Sequence, residues 1–478
     1  YSDGSLGAGF KLGGVDISAA STDAINEISS QLENLIHTAQ EGLKLQVFYR
    51  ATPHVGTLID GHEKLTGGSE DAYGAVSNAR ITFLRENAAA GAFVSPEIYL
   101  FVRGQPHKYR KQRFWEASRE FQAITENEFV EHRGKFERNL TQLTSSLSHA
   151  RLGPDRLSAR EWFGLLYEYF NLSRAKKLTP PKIRTSSGPF GESFSDQLML
   201  TDLEVHPDYL KSGDRLFRVV TLKTLPEGES FASMVDSFVK LPFFFLVSQT
   251  IAIPDQKREV EKLQLQRRLA HSMASGAKNV SDLESESKLN HIEELLGELL
   301  EGSEKIVLTD FNVVIWAKDT DELEERTDEV LKAFRNLGSS EGIAETLPCL
   351  EAFFQSAPGV CVPFRQKKVK SSNAAHLMPI YSHWRGNPRP VCILPNRDGG
   401  LVSVDPFAEA LPAWNGMVFG ATGSGKSMSL LQLILMFYGQ KPRPKVVWID
   451  NGASSKRAIE VLGGRRIVND TQHRLDDL

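Results

Sequence analysis

The chain has 478 residues, 41% of them hydrophobic and 24% charged, a soluble globular balance that excludes collagen-like and broadly disordered classes. Its length exceeds what one core usually serves, so several domains are expected. A net charge of −4 and a sequence pI of about 6.4 argue against a surface built throughout for nucleic acid. Cys349, Cys361 and Cys392 match neither a zinc spacing nor a disulfide framework, and a reducing cytoplasm fits them best. The chain begins at Tyr1 rather than Met, with no signal peptide, which limits any targeting argument.

In chain order, Ile25, Ile28, Leu32, Leu35 and Ile36 recur at helical spacing within Thr22 to Gln40, and Gly42 follows as a stop. Leu43 to Tyr49 alternates like a strand. The pair repeats as a helix over Asp71 to Asn87 and a strand over Glu97 to Arg103. Charged helices are expected over Gln112 to Leu147. A helix over Asp155 to Phe170 aligns Trp162, Leu165, Leu166, Tyr169 and Phe170 on one apolar stripe.

Pro180, Pro181, Ser186, Gly188, Pro189 and Gly191 then form the best linker signal. Strands are expected at Leu216 to Leu222 and Phe243 to Ile253. The whole run Leu241 to Ile253 reads as a buried strand pair, being too short and too interrupted to cross a bilayer. A charged helical region over Pro254 to Leu300 breaks near Ser275 to Ser281. Ile306 to Trp316 is expected as one long strand, and Asp319 with Glu322 as a capping box opening a helix that ends at Gly338.

Gly420-Ala421-Thr422-Gly423-Ser424-Gly425-Lys426-Ser427 fits GxxxxGK[ST], the loop that turns its amides around phosphate oxygens. The glycines let the main chain approach an anion, Lys426 places a charge by the β and γ phosphates, and Ser427 offers its hydroxyl to Mg²⁺. Met428 follows in the first turn. Met417 to Phe419 reads as a strand and Ser427 to Tyr438 as an apolar helix ending at Gly439, so the order is strand, loop, helix. The helix start itself favours a phosphate. The predicted ligands are ATP and Mg²⁺, against the alternative of a glycine-rich turn that merely joins strand to helix.

A second apolar strand, Val446 to Ile449, ends at Asp450. A second-strand residue near the site is the preferred reading of Asp450, with a magnesium-organising carboxylate as the alternative. Leu478 follows so soon that only part of a doubly wound nucleotide domain fits, and a water-activating acid and an arginine finger are expected in further sequence. The fold class is therefore α/β. A mixed α+β docking domain is expected over 1–178, a linker over 179–193, a second α+β domain over 194–400 and the start of a RecA-like P-loop domain over 401–478.

These residues resemble the TraC-like ATPases of type IV secretion and conjugation. The resemblance runs through Asp3-Gly4-Ser5-Leu6-Gly7 with Glu41-Gly42-Leu43, through Phe311 to Phe334 with Leu323-Glu324-Glu325-Arg326, and through Ala357-Pro358-Gly359. It continues in Asn373-Ala374-Ala375 with Pro379, in Asp405-Pro406-Phe407 and in the P-loop. It implies a hexameric RecA-like motor at the cytoplasmic face of the inner membrane, hydrolysing ATP for pilus assembly and for transfer of DNA or protein. Its partners would be inner-membrane components of the secretion machine and other secretion ATPases. The chain departs from the pattern at Asn451-Gly452-Ala453-Ser454-Ser455, where Ser455 and Lys456 stand in place of a common aromatic.

Other clusters read more plainly. Arg103, Lys108, Arg110, Lys111 and Arg113, beside Tyr109, Phe114 and Trp115, could grip nucleic acid or anionic lipid, but a solvated helix start is the simpler reading. Arg365, Lys367, Lys368 and Lys370 are read the same way, and His376 and His383 lack a third metal ligand. Two further functions stay open: a DNA-translocating coupling ATPase, which would need a basic pore, and a docking module without turnover.

Overall fold

The computed structural model describes Tyr1 and residues 3–17, 20–67, 70–105, 125–175, 178–184, 194–276, 283–396, 399–449 and 455–465. The chain divides into two compact units, one of Tyr1–Ala51 with Pro96–Ser382, the other of Thr52–Ser95 with His383–Leu478. The α/β class expected from the sequence is what forms.

The elements of the first segment are β1 (Gly7–Leu12), α1 (Thr22–Thr38) and β2 (Lys44–Thr52). The helical hairpin α2 (Gly56–Thr66) and α3 (Ala72–Ala89) follows and belongs to the second unit. The first unit resumes with β3 (Ser95–Arg103), α4 (Glu126–His149), β4 (Asp155–Arg156), α5 (Ala159–Phe170), α6 (Leu172–Ala175) and α7 (Phe194–Leu198). Next come β5 (Leu203–Val205), β6 (Leu210–Ser212), β7 (Arg215–Thr224), α8 (Asp236–Val239), β8 (Phe245–Ala252), α9 (Gln256–Gly276) and α10 (Leu283–Glu301). The unit closes with β9 (Ile306–Thr309), β10 (Asn312–Ala317), α11 (Thr320–Asn336), β11 (Glu341–Ala344), α12 (Cys349–Gln355), β12 (Lys367–Lys370) and α13 (Ser371–His376).

Among the described residues, β1 to β12 make one sheet whose main path runs β4-β1-β3-β2-β8-β10-β7-β6-β5. The pairings of β2 with β8, β8 with β10 and β10 with β7 are antiparallel. Strands from both sides of the Pro- and Gly-rich run therefore share this sheet. Its central strands are covered on both faces, which is why β10 reads as an unbroken apolar run rather than an alternation. Val314 and Trp316 point to one face and join Tyr169 of α5 and Phe353 of α12. On the opposite face Phe311, which precedes β10, meets Phe238 and Phe334, with ring centroids 5.0 and 6.0 Å away. Each such buried ring contributes about 1.5–3 kcal/mol by leaving water.

Several local expectations need correction. The run Leu241 to Ile253 holds a single strand, β8, not a pair. Helix α5 buries two faces rather than one: Leu165 and Tyr169 enter the core beside β7, while Phe163 and Tyr167 pack with Leu198. The long strand over Ile306 to Trp316 divides into β9 and β10 without losing register, since Thr309 faces Ile251 and Asn312 faces Ser248 on β8. What changes is the outer neighbour, from β12 beside β9 to β7 beside β10. Asp319 caps α11 by accepting from the Glu322 amide at 2.9 Å, but the Glu322 carboxylate turns to the Lys318 amide instead of completing the box.

The division between β9 and β10 sits on Asp310, a wholly buried carboxylate. It accepts from the Thr250 amide at 2.6 Å, the Phe364 amide at 2.7 Å and Asn312 Nδ2 at 2.9 Å. On the same side of the sheet Gln46 donates to Ser248 Oγ and to the Ala357 carbonyl, and accepts from the Gly359 amide. Two polar side chains thus stitch the loop over 356–364 to the strands. Of the basic residues weighed above, Arg365 pairs with Glu345, Lys368 with Glu259 and Lys370 with Glu298. Arg103 is held by Asp3, Ser5 and the Val360 carbonyl. Residues 108–115 and 185–193 lie outside the described residues.

Candidate functional site

The second unit contains α2, α3, the hairpin β13 (Cys392–Pro395) with β14 (Leu401–Val404), α14 (Lys426–Tyr438) and α15 (Lys456–Val461). Its core has two patches. Val55, Ile59, Ile81 and Leu84 pack with Ile393 and Leu401. Met436, with Leu433 and Phe437 beside it, packs with Val391 and Cys392.

The P-loop lies between Gly420 and α14. Gly423 and Gly425 sit at φ of 81° and 87°, left-handed conformations that cost an L side chain roughly 1–2 kcal/mol. Gly425 is the residue before the helix, and no side chain caps the amides that follow it. Those amides at Lys426, Ser427 and Met428 have no partner inside the helix, so they and the helix dipole favour an anion. Ser424 donates its amide to the Ala421 carbonyl at 3.2 Å, which closes the turn. Lys426 Nζ donates to the carbonyls of Gly420 at 2.6 Å and Ala421 at 2.8 Å, so the ammonium lies across the loop's own mouth. Ala421, Thr422, Ser424, Ser427 and Met428 are exposed. Asp450 lies outside the described residues.

The flanking strands expected at Met417 to Phe419 and Val446 to Ile449 do not form. Both segments are irregular and solvent-facing, with Phe419 at 86% and Ile449 at 95% exposure. The cause is physical: a parallel strand needs hydrogen-bonded neighbours, and no described strand pairs with either segment. Helix α14 does form, although only Met436 within it is fully buried. Sequence reasoning missed what holds its far end, where Tyr73 meets Tyr438 edge to face and Arg443 lies over both rings. Partners more than three hundred residues apart leave no local signal.

His62 joins the parts of this unit. It is buried, with Nδ1 on the Pro390 carbonyl at 2.9 Å and Nε2 on Arg80 at 2.7 Å. The carbonyl requires a proton on Nδ1, which leaves Nε2 free to accept from the guanidinium. Burial, and then the neighbouring Arg80 charge, depress its pKa to about 4. An imidazole depressed below its ordinary 6.5 adds stability that is complete above pH 6.5 and is lost as pH falls through 4. Amide exchange in α2 should therefore accelerate on acidification across that window, and His62→Gln should flatten the dependence.

Among the described residues no group of three or more His, Cys, Asp or Glu side chains could hold a metal, and His376 is engaged by Ser230, Ser29 and Glu33. No helix of the described residues is long and apolar enough to cross a membrane.

Comparison with known proteins turns these parts into a lineage. A family model described as TraC protein matches residues 1–340. The chain belongs to the TraC protein family. This TraC-family chain is 26% identical over 297 residues to a probable conjugal transfer protein TrbE of Sinorhizobium fredii (strain NBRC 101917 / NGR234), covering 58% of the chain and 44% of that protein. It is 30% identical over 151 residues to the conjugal transfer protein TrbE of Rhizobium radiobacter, covering 30% of the chain and 18% of that protein. The match thus spans less than half the length of either relative. The P-loop falls outside the residues matched to the TraC family, so its assignment rests on its own geometry.

Proposed function

We propose that this TraC-family chain is the ATP-binding motor component of a conjugal, type IV transfer machine. The observation that carries the nucleotide reading is the pair of left-handed glycines, Gly423 and Gly425, opening directly into an uncapped helix whose first residue is Lys426. The residues fit a polyphosphate. The amides from Lys426 to Met428 donate to its oxygens, the loop from Gly420 to Ser424 wraps it, and Lys426 exchanges the two loop carbonyls for phosphate oxygen. Ser427 Oγ stands in the first turn, where it would hold Mg²⁺, and bound Mg²⁺ would offset phosphate charge. Asp450 is retained as a carboxylate that could support the metal.

Hydrolysis, pilus assembly, substrate transfer, a hexameric ring and a seat at the cytoplasmic face of the inner membrane belong to the same proposal. The support is family membership and relatives named as conjugal transfer proteins. The test is equilibrium titration with Mg·ATP. The wild-type chain should saturate, whereas Gly425→Val, which forces a β-branched residue to positive φ, should lose binding with α2, α3 and the large sheet intact. Undiminished affinity in that variant would rule the loop out as the nucleotide seat.

A further inference from the structure

The amino end of α14 carries the P-loop, but its carboxyl end is where the helix is fixed. Gly439, the residue after α14, is helical, with φ of −70°, so its backbone conformation does not demand glycine. Space does. A Cβ on Gly439 would collide with Tyr73 Oη and stand 3.0 Å from Thr66 Cβ. The carboxyl end of α14 thus lies directly on residues of α2 and α3. Tyr438 adds an edge-to-face contact with Tyr73, centroids 5.7 Å apart. Arg443 places its guanidinium 5.3 Å from both ring centroids and pairs with Asp71, which also caps α3 by accepting from the Gly74 amide. The ion pair is exposed and adds little. The close glycine contact and the shared rings carry the attachment.

The helix between these ends is stiff, whereas its amino end is exposed, with Met428 at 70%. A rigid rod held at one end aims the other. We propose that Tyr73 is a positioning residue for nucleotide binding, and that the α2–α3 hairpin sets the angle at which the P-loop meets its anion. The inference rests on the P-loop reading. It adds a role for residues 66–73, which no sequence motif singled out, and it gives a reason for glycine at 439 beyond ending a helix.

The experiment uses the whole chain with Mg·ATP, and combines titration with hydrogen exchange of the 72–89 segment. Wild type should show ATP-dependent slowing of exchange in α3. Tyr73→Ala and Gly439→Ala should each weaken ATP binding roughly tenfold, because an angstrom of misplacement at a reacting group costs up to about a hundredfold. Both should also uncouple α3 exchange from ATP. Tyr73→Phe keeps the ring and the cation contact and should restore both readouts, which a loss of general stability would not predict. Arg443→Gln provides a second, sterically mild variant and should give a smaller loss in the same direction. If wild type binds ATP while all these variants match it in affinity and in α3 exchange, the positioning role is wrong and the P-loop stands. If Gly425→Val binds ATP as wild type does, the P-loop reading itself has failed.

Discussion

Replacing Lys426 with alanine removes measurable ATP binding and leaves the melting behaviour of the chain nearly unchanged. The two halves of this expectation have separate causes. Lys426 Nζ is bonded only to the carbonyls of Gly420 and Ala421, at a solvent-facing loop where water replaces it readily. A hydrogen bond of that kind is worth about 0.5–1.5 kcal/mol, and little of it is lost when water can substitute. A polyphosphate in the loop is a different matter, because it concentrates charge at a point where no other described basic side chain is bonded to the loop. Charge-assisted bonds contribute about 1.5–3 kcal/mol each, so losing two lowers affinity by at least about a hundredfold. Calorimetric titration beside thermal melts reads both halves. Equal ATP affinity in wild type and variant would show that the loop has no part in binding.

The second large effect belongs to Asp310 and concerns stability. Asp310→Ala strands the buried amides of Thr250 and Phe364 without an acceptor, at about 1–3 kcal/mol each. The summed loss, about 2–6 kcal/mol, is enough to unfold a marginal unit. Asp310→Asn keeps one oxygen and should lose roughly half as much. The carboxylate also carries a pH signature. Burial raises its pKa from 3.8 to about 7, against the opposing pull of the hydrogen bonds from Thr250, Phe364 and Asn312. An acid raised on folding binds more protons in the native state, so its contribution is whole below pH 3.8 and is lost as pH rises through 7. The advantage of wild type over Asp310→Asn in denaturant midpoint should therefore shrink from about pH 4 to about pH 7. A constant difference across that range would mean that Asp310 is ionised in the fold.

The parts of the fold visible in the sequence are those governed by near neighbours. Helix α1 and strands β2, β3 and β7 lie where periodicity placed them, and α3 begins at its Asp71 cap. The P-loop was legible because glycines at fixed spacing encode local backbone shape. Elsewhere the deciding partner is remote. No pattern around Ile306 to Trp316 announces that β12 and β7 take different stretches of one strand, since that depends on pairings with 215–224 and 367–370. The second face of α5 escaped because Phe163 and Tyr167 need Leu198 before they have anything to cover. The segments around Met417 and Val446 failed in the other direction, because apolar content alone does not make a strand without a neighbour. The attachment of α14 to Tyr73 was hidden for the same reason: Gly439 looked like a stop, and only its three-dimensional company shows why a methyl group is excluded.

The stitch from Gln46 to the loop over 356–364 has a consequence for biogenesis. Gln46 leaves the ribosome some three hundred residues before the Gly359 amide it accepts from, a sequence separation of 313. Its neighbour on β8 is itself 202 residues away. Until those later segments are synthesised, β2 presents an unpaired apolar edge to solvent, and contacts of such span slow closure of the sheet. Translation therefore runs well ahead of folding in this unit, and the nascent chain is a natural client for holding chaperones through most of its synthesis.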